Sequence, residues 1–80
     1  MANAVKSARR TRLVFSPALL REARLDAGRT QAETAAAIGS RYDVLARFEL
    51  GKRVPPADIL ADLANFLGVD ITAFYTEEAA

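Results

Sequence analysis

Cysteine is absent from these 80 residues, which excludes disulfides, zinc fingers and thiol chemistry. Histidine is absent too, and with it go the commonest general base and a common metal ligand. There is no tryptophan, and no apolar run approaches the roughly 20 residues needed to cross a bilayer. No membrane partner and no signal peptide are read, so a cytoplasmic protein is expected. Asp58 and Asp62 form an i,i+4 pair, but no base, nucleophile or metal cluster joins them, so they read as solvated charges. No enzyme, cofactor or metal site is therefore expected. Eighty residues make one small domain, with a core near the lower limit for independent folding.

What the chain does have is charge sorted along its length. Net charge is only +1, yet all eleven Lys and Arg lie at or before Arg53, against five acids. The remaining five acids follow Arg53 with no Lys or Arg among them. A basic front and an acidic back suit a protein that faces a polyanion on one side.

Helix signals punctuate most of the chain. Residues 1–13 carry Lys6, Arg9, Arg10 and Arg12 with no acid, and read as a flexible basic arm. Ser16 is placed to cap a first helix, Pro17 suits its first position, and Phe15 and Leu20 are spaced as a hydrophobic staple. Gly28 ends it. Thr30-Gln31-Ala32-Glu33 has capping-box spacing and opens a second helix that stops at Gly39. The third covers residues 41–50, entered through Ser40 or Arg41 and stopped by Gly51. Val54-Pro55-Pro56 is an extended connector, because a residue before proline avoids helix. A fourth helix places Ile59, Leu60, Leu63, Phe66 and Leu67 on one stripe and closes at Gly68. Asp70 opens a short fifth helix through Tyr75, and residues 76–80 form a fraying acidic tail. No strand pattern stands out beyond Leu13-Val14-Phe15.

Two short helices separated by a glycine turn are the build of a helix-turn-helix. On the third helix Leu45, Phe48 and Glu49 share one face, which turns Asp43, Ala46 and Arg47 outward with Tyr42 on the flank. In this motif the first turns of that helix meet base edges. Arg47 has the fork for guanine, Asp43 the acceptor for a cytosine amino group, Ala46 the small size for a thymine methyl, and Tyr42 a ring and hydroxyl for sugar or phosphate. Arg24 lies on the inner face of the first helix and Glu49 on that of the third. Two opposite charges on two buried faces should pair, and losing one partner should then cost about 3–5 kcal/mol.

Residues 30–53, TQAETAAAIGSRYDVLARFELGKR, resemble the Cro/Xre (phage-repressor) helix-turn-helix family through Gln31, Ala35, Ile38, Gly39, Leu45, Phe48, Glu49 and Gly51. The likeness extends over about residues 20–69. It implies an all-α, five-helix lambda-repressor-like DNA-binding domain at residues 14–75, preceded by the arm. It also implies phosphate contacts from Gln31 and from Lys52 and Arg53, with Arg41 reaching phosphate or base, and an Arg–Glu bridge at Arg24 and Glu49. The implied partner is double-stranded operator DNA, bound as a homodimer by a transcriptional repressor. A protein-interaction module such as an antitoxin, in which DNA binding serves autoregulation, is the alternative. Ile71, Phe74 and Tyr75 are read either as a dimer surface or as a cover for the core. Arg9, Arg10 and Arg12 either track the duplex or belong to a solubilising tail. Four positions depart from the family pattern: Arg29 and Ser40 where apolar residues are usual, Thr34 for leucine, and Arg41 for a serine or threonine cap.

Overall fold

Ser16 is the residue around which the two ends of the domain meet. Its hydroxyl accepts from the amide of Leu19 at 3.2 Å and so caps the helix that starts at Pro17. Its own amide donates to the carbonyl of Phe74 at 2.7 Å, distant in sequence and adjacent in space. The computed structural model describes residues 11–79. Their order is strand β1 (Thr11–Phe15), helices α1 (Pro17–Asp26), α2 (Gln31–Ala37), α3 (Tyr42–Glu49) and α4 (Ala57–Leu67), a 3-10 turn (Ile71–Phe74) and strand β2 (Tyr75–Ala79).

The helix boundaries follow local chemistry. At α2 the capping box is complete: Thr30 Oγ1 accepts from the Glu33 amide at 3.0 Å and Glu33 Oε1 accepts from the Thr30 amide at 2.9 Å. The turn between α2 and α3 depends on Gly39, whose φ of +68° is a left-handed conformation that other residues adopt at a cost. The Ser40 amide then reaches back to the Ala35 carbonyl at 2.9 Å, satisfying an end carbonyl of α2. Arg41, rather than Ser40, is the N-cap of α3, and no side chain caps that end.

The core is one cluster built from every helix: Leu20, Ala35, Ile38, Leu45, Phe48, Leu60, Leu63, Ala64, Leu67 and Phe74. Thr34, where leucine is usual, is fully buried and its hydroxyl donates to the Thr30 carbonyl at 2.8 Å. The hydroxyl is thereby satisfied by its own helix. Arg29, at the other departure, lays its guanidinium over the Phe66 ring 4.9 Å from the centroid. It covers the apolar surface with its cationic plane.

The expected helical helix-turn-helix fold holds, but with four α-helices and a two-stranded ribbon in place of five helices. The fifth segment is a single 3-10 turn, capped by Asp70 through the Thr72 amide and hydroxyl. It is ended by the pull of Phe74 into the core and by its carbonyl bond to Ser16. The chain then extends and pairs antiparallel with β1, in the register Phe15 with Tyr75, Val14 with Thr76, Leu13 with Glu77 and Arg12 with Glu78. Thus Thr11, Arg12 and Leu13, assigned to the arm, and the residues from Thr76 to Ala79, assigned to a fraying tail, are strand. Backbone pairing between segments so far apart satisfies amides that neither could satisfy alone. Phe15 and Tyr75 pack edge to face, 6.5 Å between centroids, and anchor this ribbon to the core. Phe74 is wholly buried and Ile71 and Tyr75 are half-buried against the same cluster, so these three cover the core.

Candidate nucleic-acid interface

Three residues of α3 face inward and decide what faces out. Leu45 and Phe48 are buried in the core, and Glu49 is buried beside them. Glu49 takes three hydrogen bonds. Arg24 donates from Nε to Oε2 at 2.6 Å and from Nη2 to Oε1 at 3.1 Å, and Gln31 donates from Nε2 to Oε1 at 3.1 Å. Arg24 also donates from Nη1 to the Arg29 carbonyl at 2.8 Å. The Arg24 and Glu49 side chains are only 9% and 3% exposed. One buried ionic cluster therefore joins α1, the loop after it, the start of α2 and the end of α3. Among the described residues no buried side-chain polar atom lacks a partner, which is the condition for such a cluster to be tolerated.

With that face fixed, Tyr42, 63% exposed, and Arg47 project from α3, while Asp43 and Ala46 are half-buried. Arg41 is exposed at the leading end and forms a two-pronged ion pair with Asp43, Nε to Oδ1 at 3.1 Å and Nη2 to Oδ2 at 2.9 Å. The hydrogen bonds from Arg41 hold the Asp43 carboxyl below the usual carboxylate range, and the nearby positive charges of Arg41 and Arg47 act in the same direction. The same hydrogen bonds raise Arg41 above its ordinary value. Sequence reasoning treated Arg41 and Asp43 as independent. Their i,i+2 spacing at a helix entry was the available signal, because the N-cap residue is extended and swings its side chain back alongside the first turn.

Gln31 is half-buried and tied to Glu49, so it braces α3 and keeps a second Nε2 hydrogen for another acceptor. Lys52 and Arg53 are exposed just after α3. Gly51, at φ +77°, makes the reversal that carries them, and the Lys52 amide closes it on the Arg47 carbonyl at 3.0 Å. The Arg53 guanidinium sits 5.8 Å from the Phe48 ring centroid, a second cation–π contact that the sequence reading did not anticipate. Arg12 lies on β1, where Nη2 is 3.7 Å from Glu78 Oε1 in an exposed pair. Arg9 and Arg10 lie outside the described residues. Among the described residues no group of three or more His, Cys, Asp or Glu is arranged to hold a metal ion, and no helix is long and apolar enough to cross a membrane.

α3 thus presents an exposed face that includes Tyr42 and Arg47, and α2 packs against the helix from behind. The profile of the helix-turn-helix family matches residues 20–74. The fold is similar to the crystal structure of the clp gene regulator ClgR from C. glutamicum, with a TM-score of 0.65 and 31% sequence identity over 69% of this chain and 71% of that one. No curated protein sequence matches this chain significantly. The match covers both helices of the motif and the whole buried core cluster, and the chain belongs to the Cro/C1-type (Xre-like) helix-turn-helix family of DNA-binding transcription regulators.

Proposed function

We propose that this chain is a repressor-type regulator that binds a two-fold operator as a homodimer and inserts α3 into the major groove. Tyr42, Ala46 and Arg47 face base edges, with Arg41 and Asp43 at the leading end of the helix. Gln31, Lys52 and Arg53 hold phosphates and set the register without reading sequence. Arg9 and Arg10 add salt-sensitive affinity from the arm. Repression follows from occupancy, with the bound dimer denying polymerase its site. The observation that carries this reading is the division of α3 into a locked inner face, Leu45, Phe48 and Glu49, and an exposed outer face with Tyr42 and Arg47. The similar structure is that of a gene regulator, which supports the regulatory part of this reading.

Selection from a randomised duplex pool tests it. A two-fold symmetric winner is expected, with affinity that falls steeply as salt rises. Arg47→Ala should keep the fold, since its side chain is exposed, and lose about 1–3 kcal/mol of discrimination at one base pair. A folded Arg47→Ala protein with unchanged base preferences would sink the face assignment. Deleting residues 1–10 removes Arg9 and Arg10 without touching β1, and should flatten the salt dependence by about one unit of slope per lost phosphate contact.

A further inference from the structure

The contact between Arg41 and Asp43 is side-on, and this decides which part of the guanidinium remains usable. A guanidinium carries five N–H donors. Asp43 Oδ1 takes the one on Nε, and Oδ2 takes one of the two on Nη2. Both hydrogens of Nη1 and the outward one of Nη2 donate to nothing among the described residues. One hydrogen of Nη1 and the outward one of Nη2 form the end of the fork, two parallel donors matched to two adjacent acceptors. In the major groove that pattern belongs to O6 and N7 of guanine. The Arg41 side chain is 81% exposed and that of Asp43 only 39%, so the open end of the fork is presented and the carboxylate sits behind it.

We propose that Asp43 is a positioning residue that fixes Arg41 as a guanine reader at the leading end of α3, and touches no base itself. This rests on the reading above in which α3 enters the major groove. A free arginine loses much rotamer freedom when it docks, and a two-pronged carboxylate removes part of that loss before DNA arrives. A lone carboxylate entering the groove is repelled by the flanking phosphates, whereas the Arg41–Asp43 unit carries no net charge. Both Asp43 oxygens already accept from Arg41, so the guanidinium, rather than a base, sets the orientation of the carboxylate. In water such an exposed pair is weak. It gains weight as the groove excludes water around it.

The test uses the full chain and the selected duplex, with every base pair of one half-site substituted in turn. The proteins compared are wild type, Arg41→Ala, Asp43→Ala, Arg41→Lys and the double Arg41→Ala/Asp43→Ala, each checked by thermal melting. The wild type should prefer guanine at one position by about tenfold or more, and Arg41→Ala should abolish that preference alone. Asp43→Ala should weaken the same preference and leave every other position unchanged, and the double variant should discriminate no worse than Arg41→Ala. Arg41→Lys should not restore it, because lysine has no planar fork. A different position shifted by Asp43→Ala would make Asp43 a direct reader and overturn the inference. So would an Arg41→Ala loss that is equal for all duplexes and reduces the salt slope, the signature of a phosphate contact. In either case a base preference lost in Arg47→Ala would leave α3 as the reading helix. No sequence enrichment by the wild type would overturn both.

Discussion

Removing one partner of the Arg24–Glu49 pair should unfold this domain near physiological temperature. Glu49 loses two hydrogen bonds when Arg24 becomes alanine, keeps only the Gln31 contact, and stays buried. The Arg29 carbonyl loses its side-chain donor as well. An uncompensated buried charge costs about 3–5 kcal/mol. The side chains are 9% and 3% exposed, so solvent screening takes little from that figure. Globular domains are stable by about 0.05–0.15 kcal/mol per residue, which for this length is about 4–12 kcal/mol in total. A domain of this size loses about 4–8 °C of Tm per kcal/mol, so a fall of about 12–40 °C is expected. Thermal and urea unfolding followed by circular dichroism measures it. Arg24→Ala and Glu49→Ala should each lose this much, and the double variant should lose less than their sum by roughly 2 kcal/mol. The apolar replacement Arg24→Met/Glu49→Leu should be less damaging than either single alanine, because it leaves no unpaired charge. Single losses below about 1 kcal/mol that simply add would refute the buried pair and the reasoning built on it.

Further predictions concern the edges of the same helices. The Glu33 carboxyl is held below the usual range, first by the Thr30 amide and then by the Thr30 hydroxyl and the Arg29 charge, with burial opposing. The folded state therefore binds its proton less readily than the unfolded chain. Its stabilising effect is present above the ordinary glutamate range and fades as pH falls through the folded value. Wild type should thus lose more stability on acidification than Glu33→Gln in parallel melts, and an identical pH dependence would remove the capping box from the account. Thr30→Ala should cost about 1 kcal/mol at neutral pH. Gly51→Ala should be worse than Gly39→Ala: both carry positive φ, costing about 1–2 kcal/mol for an L-residue. Only at Gly51 would the new Cβ also stand 3.3 Å from Pro17 Cγ. Lys52→Ala and Arg53→Ala should each lower the salt slope of DNA affinity by about one while sparing base preferences. Arg53→Ala should also cost some stability through its contact with Phe48.

The helices were legible because their signals are local. Ser16-Pro17, the Thr30–Glu33 box and the positive-φ glycines each act within a few residues of themselves, and α1 to α4 begin and end within a residue or two of where those signals lie. The Arg24–Glu49 contact was legible because helical spacing put both charges on inner faces. The ribbon was not. β1 and β2 are five residues each and pair only with one another, so neither has a partner within its own sequence neighbourhood. Thr76-Glu77-Glu78 reads as an acidic tail, and Tyr75 as the end of a helix, until Arg12 is set opposite Glu78 and Phe15 opposite Tyr75. The short turn at Ile71–Phe74 was misread as an α-helix for a related reason: Asp70 supplies a good cap, but tertiary contacts of Phe74 and Ser16 decide where the chain goes next. The guanidinium–ring contacts of Arg29 and Arg53 were hidden too, since they depend on how α4 and α3 are presented rather than on periodicity.

The faces of α3 constrain one another, and this links stability to recognition. An eight-residue helix has two turns, so three inward positions fix its roll and leave the rest no choice. If Leu45 and Phe48 alone held it, its roll would be set by packing alone, through apolar contacts that are non-directional. Glu49 changes that. Its bonds to Arg24 and Gln31 are directional and buried, and a small roll would stretch all three at once. Arg47, two residues before the Glu49 that Arg24 holds, then has a defined exit direction, and so does the Arg41–Asp43 pair at the other end of the helix. The ionic cluster contributes most by fixing orientation, because apolar residues of similar volume would serve stability as well or better. A variant such as Arg24→Met/Glu49→Leu, if it folds, should therefore bind DNA with blunted base discrimination and a nearly unchanged salt slope. Full discrimination in that variant would mean that Leu45 and Phe48 set the roll of α3 unaided.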